Sequence, residues 1–229
     1  MYDVIRHYEK VPGELVEQFA KLDESASIYE IMKENALSPE IRPIWPGQRM
    51  CGTAFTVYTR PGDNLMVHKA LSMLSPGDVL VIACESYPLA GGQFGGMMGA
   101  SAKAKGCVGV VTDGGVRDTM LLKELELPVF SASVNVRYTT KSSRGNINHP
   151  VMLGGVLIHP GDLIFADNDG IVAVPRPRAQ EVYRQTIERE EREAVLLKRI
   201  LAGEGTTFEL SGFSRMYDAL GLSEEPLEA

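Results

Sequence analysis

Arg117 and Asp118 are the residues of this chain best suited to chemistry. They close a segment, residues 91–118, that combines a glycine-rich turn, a helix and an apolar strand. A planar guanidinium captures a carboxylate through two parallel hydrogen bonds, and an aspartate beside it suits a hard divalent cation. Gly91, Gly92, Gly95, Gly96 and Gly99 permit positive φ and close backbone approach, so the turn they form can aim its amides at a ligand. The composition predicts a helix from about Met97, and the amino end of such a helix favours a carboxylate or phosphate. Arg117 and the amides of Gly95, Gly96, Met97 and Met98 are therefore the candidate substrate-binding groups, and Asp118 is the candidate metal ligand. A simpler alternative makes Arg117 and Asp118 a surface ion pair, with Asp118 capping the helix that begins at Thr119.

The elements that must position these groups alternate between strand and helix. Cys107–Thr112 is a short apolar run that reads as a buried strand ending at Asp113-Gly114-Gly115, which leaves Arg117 and Asp118 in the loop beyond its carboxyl end. Open α/β sheets hold their ligands there. Upstream, residues 13–37 show helical spacing of Leu15, Phe19, Leu22, Ile28, Ile31 and Met32, with Ser25 or Ser27 as cap of a second short helix. Residues 52–58 read as a strand and 65–74 as a helix. Pro-Gly-Asp recurs at residues 61–63, 76–78 and 160–162, a type II turn signal, and the last two launch the apolar runs 79–83 and 163–166. From Val129 to Val174 the pattern becomes β-rich, interrupted by a polar stretch at 139–148 that reads as a surface loop. Residues 179–201 form a long charged helix ending at Gly203. The outcome is an α/β chain of layered sheet and helix, one domain with terminal helices, whose core spans about 25–176 and whose C-terminal helix and tail span 177–229.

Composition excludes several classes. A formal charge of −7 and a pI near 5.2 argue against sequence-independent nucleic-acid binding, which needs concentrated Lys and Arg. Cys51, Cys84 and Cys107 are odd in number and widely spaced, which fits a reducing cytoplasm better than a disulfide framework. No apolar run is long enough to span a bilayer, and the amino terminus is not a signal peptide. His68, His149 and His159 lack ligand spacing and read as packed or loop histidines. Lys103 and Lys105 lie among mixed neighbours, and Asp167 and Asp169 read as turn residues ahead of the strand 171–174.

Several ordered blocks together resemble the RraA-like proteins, which include the class II 4-hydroxy-4-methyl-2-oxoglutarate / 4-carboxy-4-hydroxy-2-oxoadipate aldolases. They are Ser27-Ile28-Tyr29-Glu30, Arg60-Pro61-Gly62-Asp63-Asn64 with His68, Phe94-Gly95 through Arg117-Asp118, Asn148-His149-Pro150-Val151, Pro160-Gly161-Asp162, Ala166-Asp167-Asn168-Asp169-Gly170 and Ala202-Gly203-Glu204. The resemblance implies a swivelling β/β/α fold and a homotrimer or dimer of trimers. It also implies that Asp118 holds a divalent metal, Mg²⁺ first and Mn²⁺ second, and that Arg117 binds the pyruvyl part of a 2-oxo acid. Glu30 and Glu204 are implied to complete the site from a neighbouring subunit. The implied activity is a metal-dependent retro-aldol cleavage releasing pyruvate, with oxaloacetate decarboxylation as a side reaction. One position departs: the family pattern has an acidic residue shortly after Phe-Gly, where this chain has Gly96. That departure leaves two further readings, a non-enzymatic regulator that acts by binding a protein partner, and a lyase whose pocket takes a different substrate.

Overall fold

The structure, a computed structural model, describes residues 2–89, 91–222, 224 and 225. In chain order the elements are α1 (Gly13–Phe19), α2 (Ser25–Met32), β1 (Arg42–Pro43), β2 (Met50–Tyr58), α3 (Leu65–Leu71), β3 (Asp78–Ala83), β4 (Gly92–Phe94), α4 (Gly96–Ala104), β5 (Gly109–Val116), α5 (Thr119–Glu124), β6 (Val129–Val134), β7 (Asn146–Ile147), β8 (Val151–Leu153), β9 (Val156–Ile158), β10 (Leu163–Ala166), β11 (Ile171–Val174), α6 (Ala179–Leu201), α7 (Thr207–Leu210) and α8 (Phe213–Ala219). The fold is mixed α/β. Its main sheet runs β1-β6-β5-β3-β2-β10-β11, with β4 added to β5 and β7 to β2. The β2, β3, β5 and β6 strands are parallel neighbours, whereas β10 joins β2 antiparallel.

Apolar runs in the central strands follow from burial of both sheet faces. Successive side chains point to opposite sides. Phe55, Val57, Leu80, Ile82 and Val110 pack with Val67, Met98, Ala102 and Leu122 from α3, α4 and α5. Ala54, Val79, Val81 and Val111 pack on the other side with residues of β8 to β11, including Leu153, Ile158, Ile164 and Ile171. Side chains such as Leu80, Ile82 and Leu122 are fully buried, and each such burial contributes about 1.5–3 kcal/mol.

Contacts divide the chain into two compact units, Met1–Thr186 and Ile187–Ala229. In the second unit no described residue is buried. Its long helix ends as the sequence predicts. Gly203 has φ 75°, its N–H donates to Ile200 O at 3.0 Å and the Glu204 N–H donates to Arg199 O at 3.1 Å, the paired bonds of a Schellman ending.

Some expectations are corrected. The β5 strand does not stop at Asp113 but continues to Val116, its pairing with β6 irregular between Thr112 and Gly115. Helix α4, by contrast, starts at Gly96, within one residue of the expected position. Neither Ser25 nor Ser27 caps α2; Ser25 opens the helix, and its N–H and Oγ both bond the Asp167 carboxylate, at 2.6 and 2.7 Å. Asp167 also accepts the Asp169 N–H at 3.0 Å, as the turn reading requires. Ile31 is only half-buried. The polar stretch 139–148 is not simply a surface loop, because Asn146–Ile147 pairs with β2 and Asn148 is buried. The three Pro-Gly pairs do form turns with φ of 76°, 86° and 86° at Gly62, Gly77 and Gly161. The aspartate after each is buried and serves as an anchor: Asp78 bonds Lys10 and Ser75, and Asp162 bonds the amides of His159 and Arg176. All three cysteines are free, and no helix among the described residues is long and apolar enough to cross a membrane.

Candidate active site

Parallel pairing of β4 with β5 brings the glycine-rich turn to Arg117. Phe94 is in register with Val116, so Gly95 and Arg117 leave the sheet side by side, and the Arg117 N–H donates to Phe94 O at 3.0 Å. The glycines are needed here for closeness, not for unusual dihedrals, since Gly92, Gly95, Gly96 and Gly99 all have negative φ. A Cβ at Gly92 would lie 3.1 Å from Arg117 Cδ, and one at Gly95 would lie 2.8 Å from Asp118 Oδ2 and 3.1 Å from Arg117 Cγ. The arginine stem therefore lies across bare backbone.

Asp118 precedes α5 with φ 57°, yet its side chain does not cap that helix. Its Oδ2 instead accepts the Gly96 N–H at 3.0 Å. The simple capping alternative is thereby replaced by a link to the glycine turn. The ion pair with Arg117 is loose, with Nε 3.8 Å from Oδ2 and the two side chains 43% and 50% exposed, so it contributes little to stability. The guanidinium makes no hydrogen bond with a described residue, and neither does Asp118 Oδ1. The α4 ladder begins with the Gly99 N–H donating to Gly95 O at 2.8 Å. Gly96 is committed to Asp118, so the Met97 and Met98 amides remain as the unpaired donors of the first turn.

These groups line one cavity of about 180 Å³, into which Gly95, Met97, Met98, Arg117 and Asp118 all open. Larger cavities of about 450 and 610 Å³ lie around Tyr8 and Asn148. Two of their cations are already neutralised, Lys10 by Asp78 and Arg176 by Glu9. The smaller cavity gathers Arg117, Lys141 and Asp118 around bare glycine backbone.

Three of its lining residues were not anticipated as ligands: Asn64, His68 and Lys141. Asn64 is 5% exposed, its Nδ2 donates to Gln93 O at 3.3 Å, and its Oδ1 has no partner. Burial, and then the Lys141 ammonium, push the His68 imidazole below its ordinary pKa. Lys141 is carried by a strand-like loop fastened to Asp63, whose carboxylate accepts Leu65 N at 3.0 Å, Thr140 Oγ1 at 2.8 Å, Ser142 N at 2.6 Å and Ser143 N at 3.1 Å. Burial alone would raise the Asp63 pKa, but these bonds outweigh it and hold the group below the usual aspartate range. His68 stands one helical turn after Asn64, a spacing visible in sequence. Nothing local signals Lys141.

Glu30 is exposed on α2 and does not line the cavity. Glu204 belongs to the second unit, where it pairs with Arg199 at 2.7 Å. As a metal ligand set, the described residues offer no group of three or more His, Cys, Asp or Glu. The single open oxygen of Asp118 fits a cation that keeps most of its waters, as Mg²⁺ does.

The cavity lies beyond the carboxyl ends of β4 and β5 in a mixed sheet of the α/β class, where such folds commonly hold their ligands. The chain belongs to the RraA-like family, described as Aldolase/RraA, whose pattern matches residues 24–173. It is 36% identical over 173 residues, 72% of this chain and 80% of the other, to a Halalkalibacterium halodurans protein named "Putative 4-hydroxy-4-methyl-2-oxoglutarate aldolase". Its fold matches a crystal structure of a Pseudomonas syringae protein with TM-score 0.79 at 26% identity, covering 93% of this chain and all of that one. It also matches Streptomyces coelicolor RraAS2, described as an unusual member of the RNase ES inhibitor RraA protein family, with TM-score 0.74 at 28% identity, covering 83% of this chain and all of that one.

Proposed function

We propose that the protein is a divalent-metal-dependent lyase that cleaves a short 4-hydroxy-2-oxo acid to pyruvate and a second carbonyl compound. The observation that carries this reading is the convergence of a guanidinium that makes no hydrogen bond with a described residue, an open aspartate oxygen and two helix-terminal amides on one small cavity. Arg117 takes the 1-carboxylate in a bidentate grip, and the Met97 and Met98 amides hold the same anion. Asp118 is the metal ligand. When bound, a divalent ion supplies Lewis-acid withdrawal of electrons from the 2-oxo group. Cleavage removes the proton of the 4-hydroxyl and breaks the C3–C4 bond. The electron pair moves to the enolate of pyruvate, which is then protonated at C3. Arg117 and Lys141 give the cavity one more positive than negative charge with His68 neutral, which favours an anionic substrate and the charge that develops on it. The same electron demand would release CO₂ from oxaloacetate.

Glu30 and Glu204, brought by a neighbouring copy of a homotrimer or dimer of trimers in the cytoplasm, are proposed to tune the base that takes the hydroxyl proton. The test is pyruvate release from 4-hydroxy-4-methyl-2-oxoglutarate. It should stop with EDTA, and fall by about 10²–10³ in kcat in Arg117→Ala if that group acts mainly on the enolate. Undiminished turnover in Asp118→Ala would refute the reading.

A specific observation favours a second reading. Gly96 places no acid beside Asp118, and the space its side chain would use holds Leu121. A protein lacking lyase turnover but retaining a tight protein partner would be a regulator, as the likeness to RraAS2 suggests.

A further inference from the structure

We propose that this site does not hold a divalent ion by itself and takes one only together with a chelating 2-oxo acid; the inference rests on the lyase reading above. Among the described residues Asp118 is the one carboxylate lining the cavity, and Gly96 N–H already engages its Oδ2 at 3.0 Å. No second acid can stand at position 96 without rearrangement, because a Cβ there would lie 2.6 Å from Leu121 Cδ2 and 3.2 Å from Asp118 Cβ. Position 96 therefore offers the ion no side-chain oxygen ligand. On the other sides are Arg117, whose Nε is 3.8 Å from the same Oδ2, and Lys141, neither bonded to another described acid. A bare dication entering here meets two positive charges and one partly engaged carboxylate. Like charges oppose entry of a bare dication there, the repulsion being tempered by solvent because the Arg117 side chain is half-exposed and Lys141 is exposed.

A chelating dianion reverses this balance. It brings two oxygens to the ion's coordination, water filling the rest, and two negative charges to offset Arg117 and Lys141. Anion and cation must then raise each other's affinity by the same factor. Metal dependence would thus be a property of the complex with ligand, and Leu121 and Gly96 are the residues that set it.

The experiment is calorimetric titration of the full-length protein with Mn²⁺ alone, oxalate alone, and oxalate with Mn²⁺, with Mn²⁺ electron paramagnetic resonance as an independent count of bound ion. The expected result is no saturable Mn²⁺ binding tighter than about 1 mM without oxalate, and at least about a tenfold gain in oxalate affinity when Mn²⁺ is present, equivalent to about 1.4 kcal/mol of coupling. Gly96→Asp combined with Leu121→Ala should bind Mn²⁺ without oxalate. Lys141→Met, which leaves the glycine wall untouched, should tighten Mn²⁺ in the absence of oxalate. Equal Mn²⁺ affinity with and without oxalate, or oxalate affinity indifferent to Mn²⁺, overturns the inference while leaving the anion site standing. Silence of oxalate in both titrations overturns the lyase reading itself, and the inference with it.

Discussion

Gly95→Ala tests whether the site depends on bare backbone beneath Arg117 and Asp118. The added methyl changes no functional group, and Gly95 has φ −156° and ψ −174°, an extended conformation that alanine adopts freely. Strain therefore arises only from contact. The Cβ would lie 2.8 Å from Asp118 Oδ2 and 3.1 Å from Arg117 Cγ, so both side chains must move. Displacing Oδ2 loosens the 3.0 Å bond from Gly96 N–H, and a hydrogen bond to a charged group is worth about 1.5–3 kcal/mol. Taking about 2 kcal/mol as lost from the liganded geometry gives roughly a thirtyfold rise in the oxalate Kd measured with Mn²⁺ present. Stability should fall by only about 1 kcal/mol, the low end for overpacking, since both displaced groups are half-exposed and can swing outward. Gly96→Ala is the internal comparison. Its Cβ meets chiefly the end of the Leu121 side chain, which is 36% exposed and free to turn away, so its oxalate Kd should change less. Wild-type binding by Gly95→Ala, or a greater loss in Gly96→Ala, would refute the argument that the arginine and aspartate are seated on the glycine turn.

Asp63→Asn should release the 140–143 loop and cost about 3 kcal/mol in urea unfolding at neutral pH, because amide donors now face an amide group in place of a carboxylate. The sign of its pH dependence follows from its depressed pKa. The unfolded chain binds this proton first as pH falls, so the stabilisation is full above the unfolded value and is lost as pH drops through the folded one. Wild-type stability should decline more steeply than that of the variant below the ordinary aspartate pKa, and parallel acid limbs would contradict this. Lys10→Met should lower stability by about 3 kcal/mol, read from thermal or urea melts, because Asp78, whose side chain is 1% exposed, loses the ammonium 2.5 Å away. A shift below about 1 kcal/mol would show that Thr53 and Ser75 suffice to hold that charge.

Much of the fold was legible because apolar runs in this chain coincide with strands. The β10 and β11 strands occupy the very residues expected, since each is a short hydrophobic run between turn residues. The misses have a common cause. The β4, β7 and β1 strands are two or three residues long and take their conformation from neighbours, not from a period of their own. Residues 113–116 looked like a loop because aspartate and two glycines resist a strand reading, whereas the buried Asp113 accepts the Cys84 and Ser86 amides and holds them in place. At the candidate site, Arg117, Asp118 and the glycine turn are close in sequence and were readable together. Lys141 arrives through a buried carboxylate 79 residues away from Ser142. Such a long-range link leaves no local pattern. His68 reads in sequence as a lone histidine, since only the assembled sheet shows which wall it lines.

The absence of any buried residue among those described from Ile187 onward has a thermal consequence. Ordering backbone costs about 1–2 kcal/mol per residue, and without core burial this segment can rely only on side-chain pairs such as Arg189 with Glu193, its Schellman ending and the capping box of Thr206 and Glu209. Such interactions are worth tenths of a kcal/mol to about one each. The isolated protomer should therefore shed far-ultraviolet ellipticity in two stages on warming, a gradual fraying of the carboxyl-terminal helices followed by a sharp cooperative collapse of the sheet.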